Sequence, residues 1–193
     1  MILYDDEADA ALDRQLPEDR WLLLAASILD RLCASLCDAV CERADSADRL
    51  ARLADSEAFL SRDGDWYDLR REYADVWRNR LFHTCHDQLP ELHLRASEWY
   101  ERIGFVDEAI RHAMAAGDYS RATRIIGEAA PTCIQRGEMS TLLGWLGALP
   151  DPVVKSSASL CIFHAWALFL TGNFRAADNR LLDAEAAPQQ ESV

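Results

Sequence analysis

Ala58-Phe59-Leu60-Ser61-Arg62-Asp63-Gly64-Asp65-Trp66-Tyr67-Asp68-Leu69 is the stretch on which the fold turns. Two short runs, Ala58 to Ser61 and Trp66 to Leu69, flank Arg62-Asp63-Gly64-Asp65, and Asp-Gly between such runs is a strong short-range hairpin signal. It is the only good β candidate in the chain. Upstream, acidic Asp5 to Gln15 suits a short helix, and Leu16-Pro17-Glu18-Asp19 starts a second, since proline fits a first turn and acids favour the positive helix end. The body of that second helix is Trp21 to Leu29. Its run Trp21-Leu22-Leu23-Leu24-Ala25-Ala26 is apolar almost all round, the pattern of a helix buried between others. A third helix is expected from Ser35 to Glu42, and a fourth, capped by Asp45-Ser46, runs through Asp55 with Leu50 and Leu53 inward. Three helices and then a two-stranded wing is the element order of a winged helix. After the wing, Glu72 to Leu89 returns to helical spacing through Tyr73, Val76, Trp77 and Leu81.

From Pro90 onward the pattern is one of repeated helical hairpins. Gly104-Phe105 with Ala109, Gly117-Asp118-Tyr119 with Ala122, Gly137-Glu138-Met139 with Leu142, and Gly172-Asn173-Phe174 with Ala177 share one mechanism. Glycine ends a helix in the left-handed conformation, an aromatic or Met packs back over the turn, and the residue five positions on lets the next helix approach. Gly104 and Gly172 are 68 residues apart, twice the tetratricopeptide period, although the intermediate spacings are irregular. The expected architecture is all-α: a winged-helix-like domain with a small β-hairpin over 1–89, tetratricopeptide-like helical repeats over 90–187, and a disordered tail over 188–193. Leu149-Pro150-Asp151-Pro152 interrupts the array.

With 193 residues, half of them hydrophobic, the chain has enough material for a buried core without metals or disulfides. Acids outnumber bases 33 to 20, and do so on both sides of residue 90, for a net charge of −13. DNA binding needs a clustered positive surface that displaces counterions from phosphates, so no direct nucleic-acid contact is expected. Neither a signal peptide nor a membrane-length apolar run is evident, and a cytoplasmic location follows as the expectation. Cys33, Cys37 and Cys41 recur every four residues beside Leu32, Leu36 and Val40, which suits a buried helical stripe better than paired loop ligands for zinc.

Nucleotide chemistry has no motif to sit on. Lys155 is the only lysine, so no phosphate-binding loop with its lysine exists, and the nucleophile-elbow, zinc-protease and dinucleotide fingerprints are missing as well. No catalytic residue, cofactor or metal is expected. Acid pairs such as Asp107-Glu108 sit at helix starts, where dipole and capping effects account for them. His83, Cys85, His86 and His93 come closest to a metal set, but no further ligand stands at a suitable turn. Trp99, Tyr100, Trp145 and Trp166 are candidate residues for a groove inside the repeats, with a core role as the simpler reading.

Several blocks together resemble the middle of the large MalT-like, LuxR-family transcriptional regulators of the signal-transducing ATPase class. They include Leu16-Pro17-Glu18 with Leu22-Leu23-Leu24, Ser27-Ile28-Leu29-Asp30-Arg31-Leu32, Leu92-His93-Leu94-Arg95-Ala96-Ser97-Glu98-Trp99-Tyr100, Glu108-Ala109-Ile110-Arg111-His112-Ala113, and Trp145-Leu146-Gly147-Ala148-Leu149-Pro150. The resemblance implies a winged helix and the start of a sensor region, with the family's N-terminal nucleotide-binding domain and C-terminal DNA-binding domain lying outside this sequence. The family's His-Pro-Leu-Phe after the wing is here Arg70-Arg71-Glu72-Tyr73. Arg70 is thereby a phosphate contact if a nucleotide domain is supplied, and otherwise a mark of lost nucleotide coupling.

Together these readings predict a truncated regulator, not an enzyme, that acts in signal transduction and transcription regulation through protein contacts. Its expected partner is a nucleotide-binding domain or a full-length regulator, with an inducer of unknown identity. The alternatives are a free-standing helical-repeat adaptor that binds a partner peptide in its concave face, and a non-functional gene remnant.

Overall fold

In the computed structural model, which describes residues 2–187, the hairpin forms as β1 (Leu60–Asp63) and β2 (Trp66–Leu69). The antiparallel register pairs Leu60 with Leu69 and Asp63 with Trp66, leaving Gly64-Asp65 as the loop. Gly64 has φ +62°, and glycine at the first position of a two-residue loop is the type II′ arrangement. The turn is thus shorter than the Arg62 to Asp65 stretch that the sequence pattern allots to it. Leu32 adds a third segment: its amide donates to the Tyr67 carbonyl at 2.8 Å, and the Tyr67 amide donates back at 2.7 Å. A one-residue bridge has no periodicity, so nothing in the sequence signals it.

Ahead of the hairpin stand α1 (Ile2–Asp13), α2 (Pro17–Ala26), α3 (Ala34–Cys41) and α4 (Ser46–Ser56), and behind it α5 (Arg71–Thr84). Helix α2 stops at Ala26 instead of Leu29, because the Ser27 hydroxyl bonds the Leu24 carbonyl and the chain then has to straighten for Leu32 to reach Tyr67. The N-terminus of α4 is served by Asp38 of α3, whose Oδ1 accepts from the Ser46 amide at 3.0 Å. Asp45, the expected cap, holds Arg43 and Arg49 instead. Helix α5 ends at Thr84, short of Leu89, and Pro90 opens α6 (Leu89–Ile103) instead of closing what precedes it.

Phe59 and Trp77 centre the first core, with Leu12, Leu22, Leu36, Leu50 and Leu53 around them, all fully buried. The Trp77 ring meets Phe59 edge-on, 5.0 Å between centroids, and its Nε1 donates to the Ala8 carbonyl at 2.9 Å, which ties α5 to α1. Cys33 precedes α3 while Cys37 and Cys41 lie on it. Burial pushes the Cys37 thiol well up and Cys41 up to about 11, so both stay protonated at neutral pH.

The chain divides into two compact units between Trp99 and Tyr100, inside α6, where the sequence pattern places the division at Pro90. The early part of α6 serves the first unit: Leu92 and Ala96 are buried, Arg95 donates to the Val40 carbonyl, and Trp99 lies edge-on to Trp66. The second unit is built from α7 (Val106–Ala115), α8 (Tyr119–Arg136), α9 (Met139–Ala148), the short α10 (Asp151–Lys155), α11 (Ala158–Leu170) and α12 (Phe174–Ala186). Helices α7 and α8 pack as a hairpin, α11 lies on both α8 and α9, and α12 folds back on α11. The fold is all-α, a winged helix with a small hairpin followed by helical hairpins. The tail expected over 188–193 lies outside the described residues.

The repeat mechanism holds in its main parts. Gly104, Gly117, Gly137 and Gly172 all have positive φ, and Ala109, Ala122, Leu142 and Ala177 are all buried. The aromatic part differs. Met139 is buried, whereas Phe105 and Phe174 touch the rings of Tyr100 and Phe169 from outside, and Tyr119 too remains exposed. A Cβ at Gly117 or Gly172 would meet nothing within 4 Å, so the cost of a side chain there comes from backbone strain at φ +75° and +82°, not from crowding of the next turn. Gly117→Val and Gly172→Val should each lower stability by about 1–2 kcal/mol, read as a shift in urea midpoint; unchanged midpoints in both would show that these turns do not depend on glycine.

Candidate protein-contact site

Helix α4 occupies the place of a recognition helix, the segment that in a DNA-reading winged helix enters the groove. Its amphipathic pattern turns Leu50 and Leu53 into the core and sets Arg49 and Arg52 beside that apolar stripe. Both arginines bend back onto one carboxylate. Asp19, in the first turn of α2 and without exposure to water, accepts from Arg49 Nη1 at 2.8 Å and from Arg52 Nη2 at 2.7 Å. Burial raises the Asp19 pKa, but the hydrogen bonds from Arg52 and Arg49 outweigh it and hold the carboxyl below its ordinary value. Arg49 also reaches Asp45, which Arg43 and Arg49 hold well below the usual carboxylate range. The two cations of α4 are therefore neutralised within the unit, while Asp48 and Asp55 remain exposed. The sequence pattern marks Asp19 only as an acid in the first turn of α2, not as the partner of these arginines. The available signal was the Arg49–Arg52 spacing, which places two cations on the flank of a buried helix face.

Between α4 and the wing lies an open cleft of about 520 Å³, lined by Ala47, Asp48, Ala51, Arg62, Asp65 and Trp66, with Trp99 of α6 at its side. Arg62 stacks over Tyr67, 5.7 Å from the ring centroid, and donates to the Gly64 carbonyl. Arg31 lies over Trp66 and binds Asp63 and Asp68 at 2.9 Å. The cleft thus has an apolar floor of alanine and tryptophan and a rim of two acids and one base. Such a surface repels phosphate and suits a mixed protein surface.

Among the groove candidates, Trp99 is buried against Trp66 in the first unit, and Tyr100 is buried and stacked 5.4 Å from the His112 ring. Trp145 donates to Asp107 and lines a cleft with Phe105 and Arg136, which gives Asp107 a bond in place of the expected cap. Trp166 is exposed on α11 and lines a different cleft, with Phe169 and Leu181. Trp145 and Trp166 therefore do not share a groove. Arg70 sits before α5, paired with Glu72 at 3.1 Å and bonded to the Ala58 carbonyl, in a small cleft that also holds Glu7. His83 and His86 flank the Phe82 ring, and among the described residues no three His, Cys, Asp or Glu side chains converge as metal ligands. No described helix is long and apolar enough to cross a membrane.

With this geometry in place, the match of residues 8–89 to the family model of the MalT winged helix domain spans α2 to α5, the wing and the second half of α1. This stretch is similar to a MalT winged helix domain. Its likeness extends further: it is 28% identical over 194 residues to the HTH-type transcriptional regulator MalT of Yersinia enterocolitica, covering 99% of this chain and 22% of that protein. MalT of Yersinia pestis is 29% identical over 198 residues with the same coverage. The serine/threonine-protein kinase PknK of Mycobacterium tuberculosis is 32% identical over 172 residues, 88% of this chain and 16% of the kinase. The chain thus spans between 16% and 22% of the curated relatives it matches. The likeness to the MalT regulators covers both the winged helix and the hairpins that follow.

Removing the buried carboxylate of the winged helix gives a direct test. Asp19→Asn should cost about 2 kcal/mol, less than the 3–5 typical of a fully buried pair, because Arg52 is half exposed and can turn to water. The sign with pH follows from the lowered native pKa. The stabilisation is complete above the ordinary value of 3.8 and is lost as pH falls from there through the native value. Urea unfolding of wild type and variant between about pH 7 and pH 2 should show their difference shrinking only in that acid range; a constant difference would rule the ion pair out as its source.

Proposed function

We propose that this chain acts as a non-catalytic regulatory segment of MalT-like transcription control, with the cleft between α4 and the wing docking a protein surface instead of DNA. The observation that carries the reading is the fate of the α4 cations: Arg49 and Arg52 are spent on buried Asp19, and the cleft presents Asp48 and Asp65 against Arg62. The comparisons support a regulatory role in a second way. One stretch recurs in a protein named for kinase activity and in proteins named for transcription regulation, and a segment common to such different outputs is a module of control and not the source of either chemistry. The partner class that fits is a nucleotide-binding domain or a full-length regulator. Arg70 is held by Glu72 beside Glu7, so we read it as uncoupled from nucleotide phosphates unless a partner displaces those acids.

Two measurements bear on this. Titration of the chain with labelled duplex DNA and with labelled ATP at about 0.1 M salt should give no saturable micromolar binding. In the presence of a full-length MalT-type regulator from the same organism, the chain should bind it and alter reporter transcription, and Asp48→Arg or Trp66→Ala should weaken that binding by at least about tenfold. Saturable DNA or ATP binding would overturn the protein-docking reading, and so would a regulator whose binding and transcription ignore the chain.

A further inference from the structure

Helix α11 carries a histidine among its buried residues. His164 is 9% exposed, and its Nδ1 is buried without a hydrogen-bond partner among the described residues. It stands one turn beyond Cys161, whose buried thiol bonds the Val154 carbonyl of α10. Four charged side chains, two from α10 and two from α12, gather at this part of α11. Arg180 Nη2 meets Asp151 at 2.6 Å and its Nη1 meets Asp183 at 3.1 Å, while Lys155 meets Asp151 at 2.9 Å and Asp183 at 3.7 Å. All four act electrostatically on the Cys161 thiol, and Arg180 and Asp151 act on His164 as well. The remaining helices against α11 differ. Helix α9 has no ionisable side chain over Met139–Ala148, and on α8 Arg124 and Glu128, which line a cleft with Phe163, pair with each other at 3.1 Å.

We propose that His164 is an acid-sensitive latch of the second unit: taking up a proton there breaks the packing of α12 and α10 on α11. In the neutral ring Nδ1 is a bare lone pair and Nε2 carries the hydrogen. Protonation gives Nδ1 a hydrogen that has no acceptor, and it places a positive charge out of water where Arg180 already stands. Asp151 offsets this only in part, because its carboxylate is divided between Arg180 and Lys155. The charged ring gains water or an acceptor only if α11 parts from the helices that supply Arg180 and Asp151. Burial first and the Arg180 charge second hold the imidazole below its ordinary 6.5, with Asp151 pulling the other way. The stabilisation is therefore complete above 6.5 and is lost as pH falls from there through the native value. Asp151 is held below the ordinary 3.8 by Lys155 and Arg180, so its own protonation weakens the cluster only in stronger acid. The mildly acidic range belongs to His164 alone within this cluster.

Nuclear magnetic resonance on the full chain follows the His164 ring and the α12 amides together. The ring should titrate below 6.5, and Arg180→Gln, which removes the like charge and leaves Asp151, should move its midpoint upward. Between about pH 7.5 and pH 5.5, hydrogen-exchange protection of the α12 amides, corrected for the intrinsic rate, should fall several-fold, with a ceiling of about tenfold. Protection in α7 and in the wing should hold over the same range. His164→Leu and His164→Gln each remove the titrating ring, and α12 in either variant should be protected equally at both pH values. The wild-type titration and exchange decide the matter even if neither variant folds. A ring that titrates at or above 6.5, α12 protection that does not change in wild type, an equal loss in every helix, or the same loss in both variants would overturn the proposal.

Discussion

A carboxylate without access to water ties the winged helix together. Asp19 is placed in the first turn of α2, where the helix dipole already favours negative charge, and it draws Arg49 and Arg52 of α4 inward over short bonds. An unpaired charge at that depth would be costly, so α4 is held in the one orientation that supplies both guanidinium groups. Leu50 and Leu53 then fall into the core, and Asp48 and Ala51 face the wing. The same bonds that position the helix neutralise its two cations, although Arg52 stays half exposed. A DNA-reading helix needs its arginines outward, and here one buried carboxylate holds both of them.

The wing hangs on a second set of contacts. Phe59, just ahead of β1, packs against Tyr73 and Trp77 of α5, and the Trp77 indole reaches the Ala8 carbonyl of α1. Leu32 pairs with Tyr67, so β2 is bonded on both edges at that point. With its base fixed in this way, the hairpin projects Arg62, Asp65 and Trp66 toward α4 as a wall and not as a free loop. The cleft is therefore a product of the core: its two sides are held by Asp19 and by Phe59.

How much of this was legible in the sequence depends on the range of the interaction. Asp-Gly between two strand-like runs and glycine at helix ends act within a few residues, and the hairpin and the four repeat turns were readable for that reason. The end of α2 at Ala26 was not, since it is imposed by Leu32 pairing with Tyr67, a residue far along the chain. Nor was the cap of α4. Asp45 has the right side chain at the right place, but Arg43 and Arg49 compete for it, and Asp38 of α3 serves the Ser46 amide instead. The aromatic candidates show the same limit. Helical spacing marks Trp99, Tyr100, Trp145 and Trp166 as belonging to faces, but which face is buried depends on neighbours that spacing does not name.

Charge and apolar surface are also distributed in a way that separates two modes of contact. The α4–wing cleft mixes alanine and tryptophan with Asp48, Arg62 and Asp65, so its occupant has to match a charge pattern, and mismatched surfaces are rejected by unpaired acids. Helix α11 and the turn after it have no ionised group from Ser156 to Phe174, and Asp178 of α12 is the one charge lining the groove beside them. In an acidic chain these properties act in opposite directions. The acids at the rim of the cleft attract basic groups over long range, whereas the uncharged stretch exerts no such pull. The two surfaces differ in that the cleft carries three charged side chains among its apolar ones, whereas the groove between α11 and α12 carries Asp178 alone.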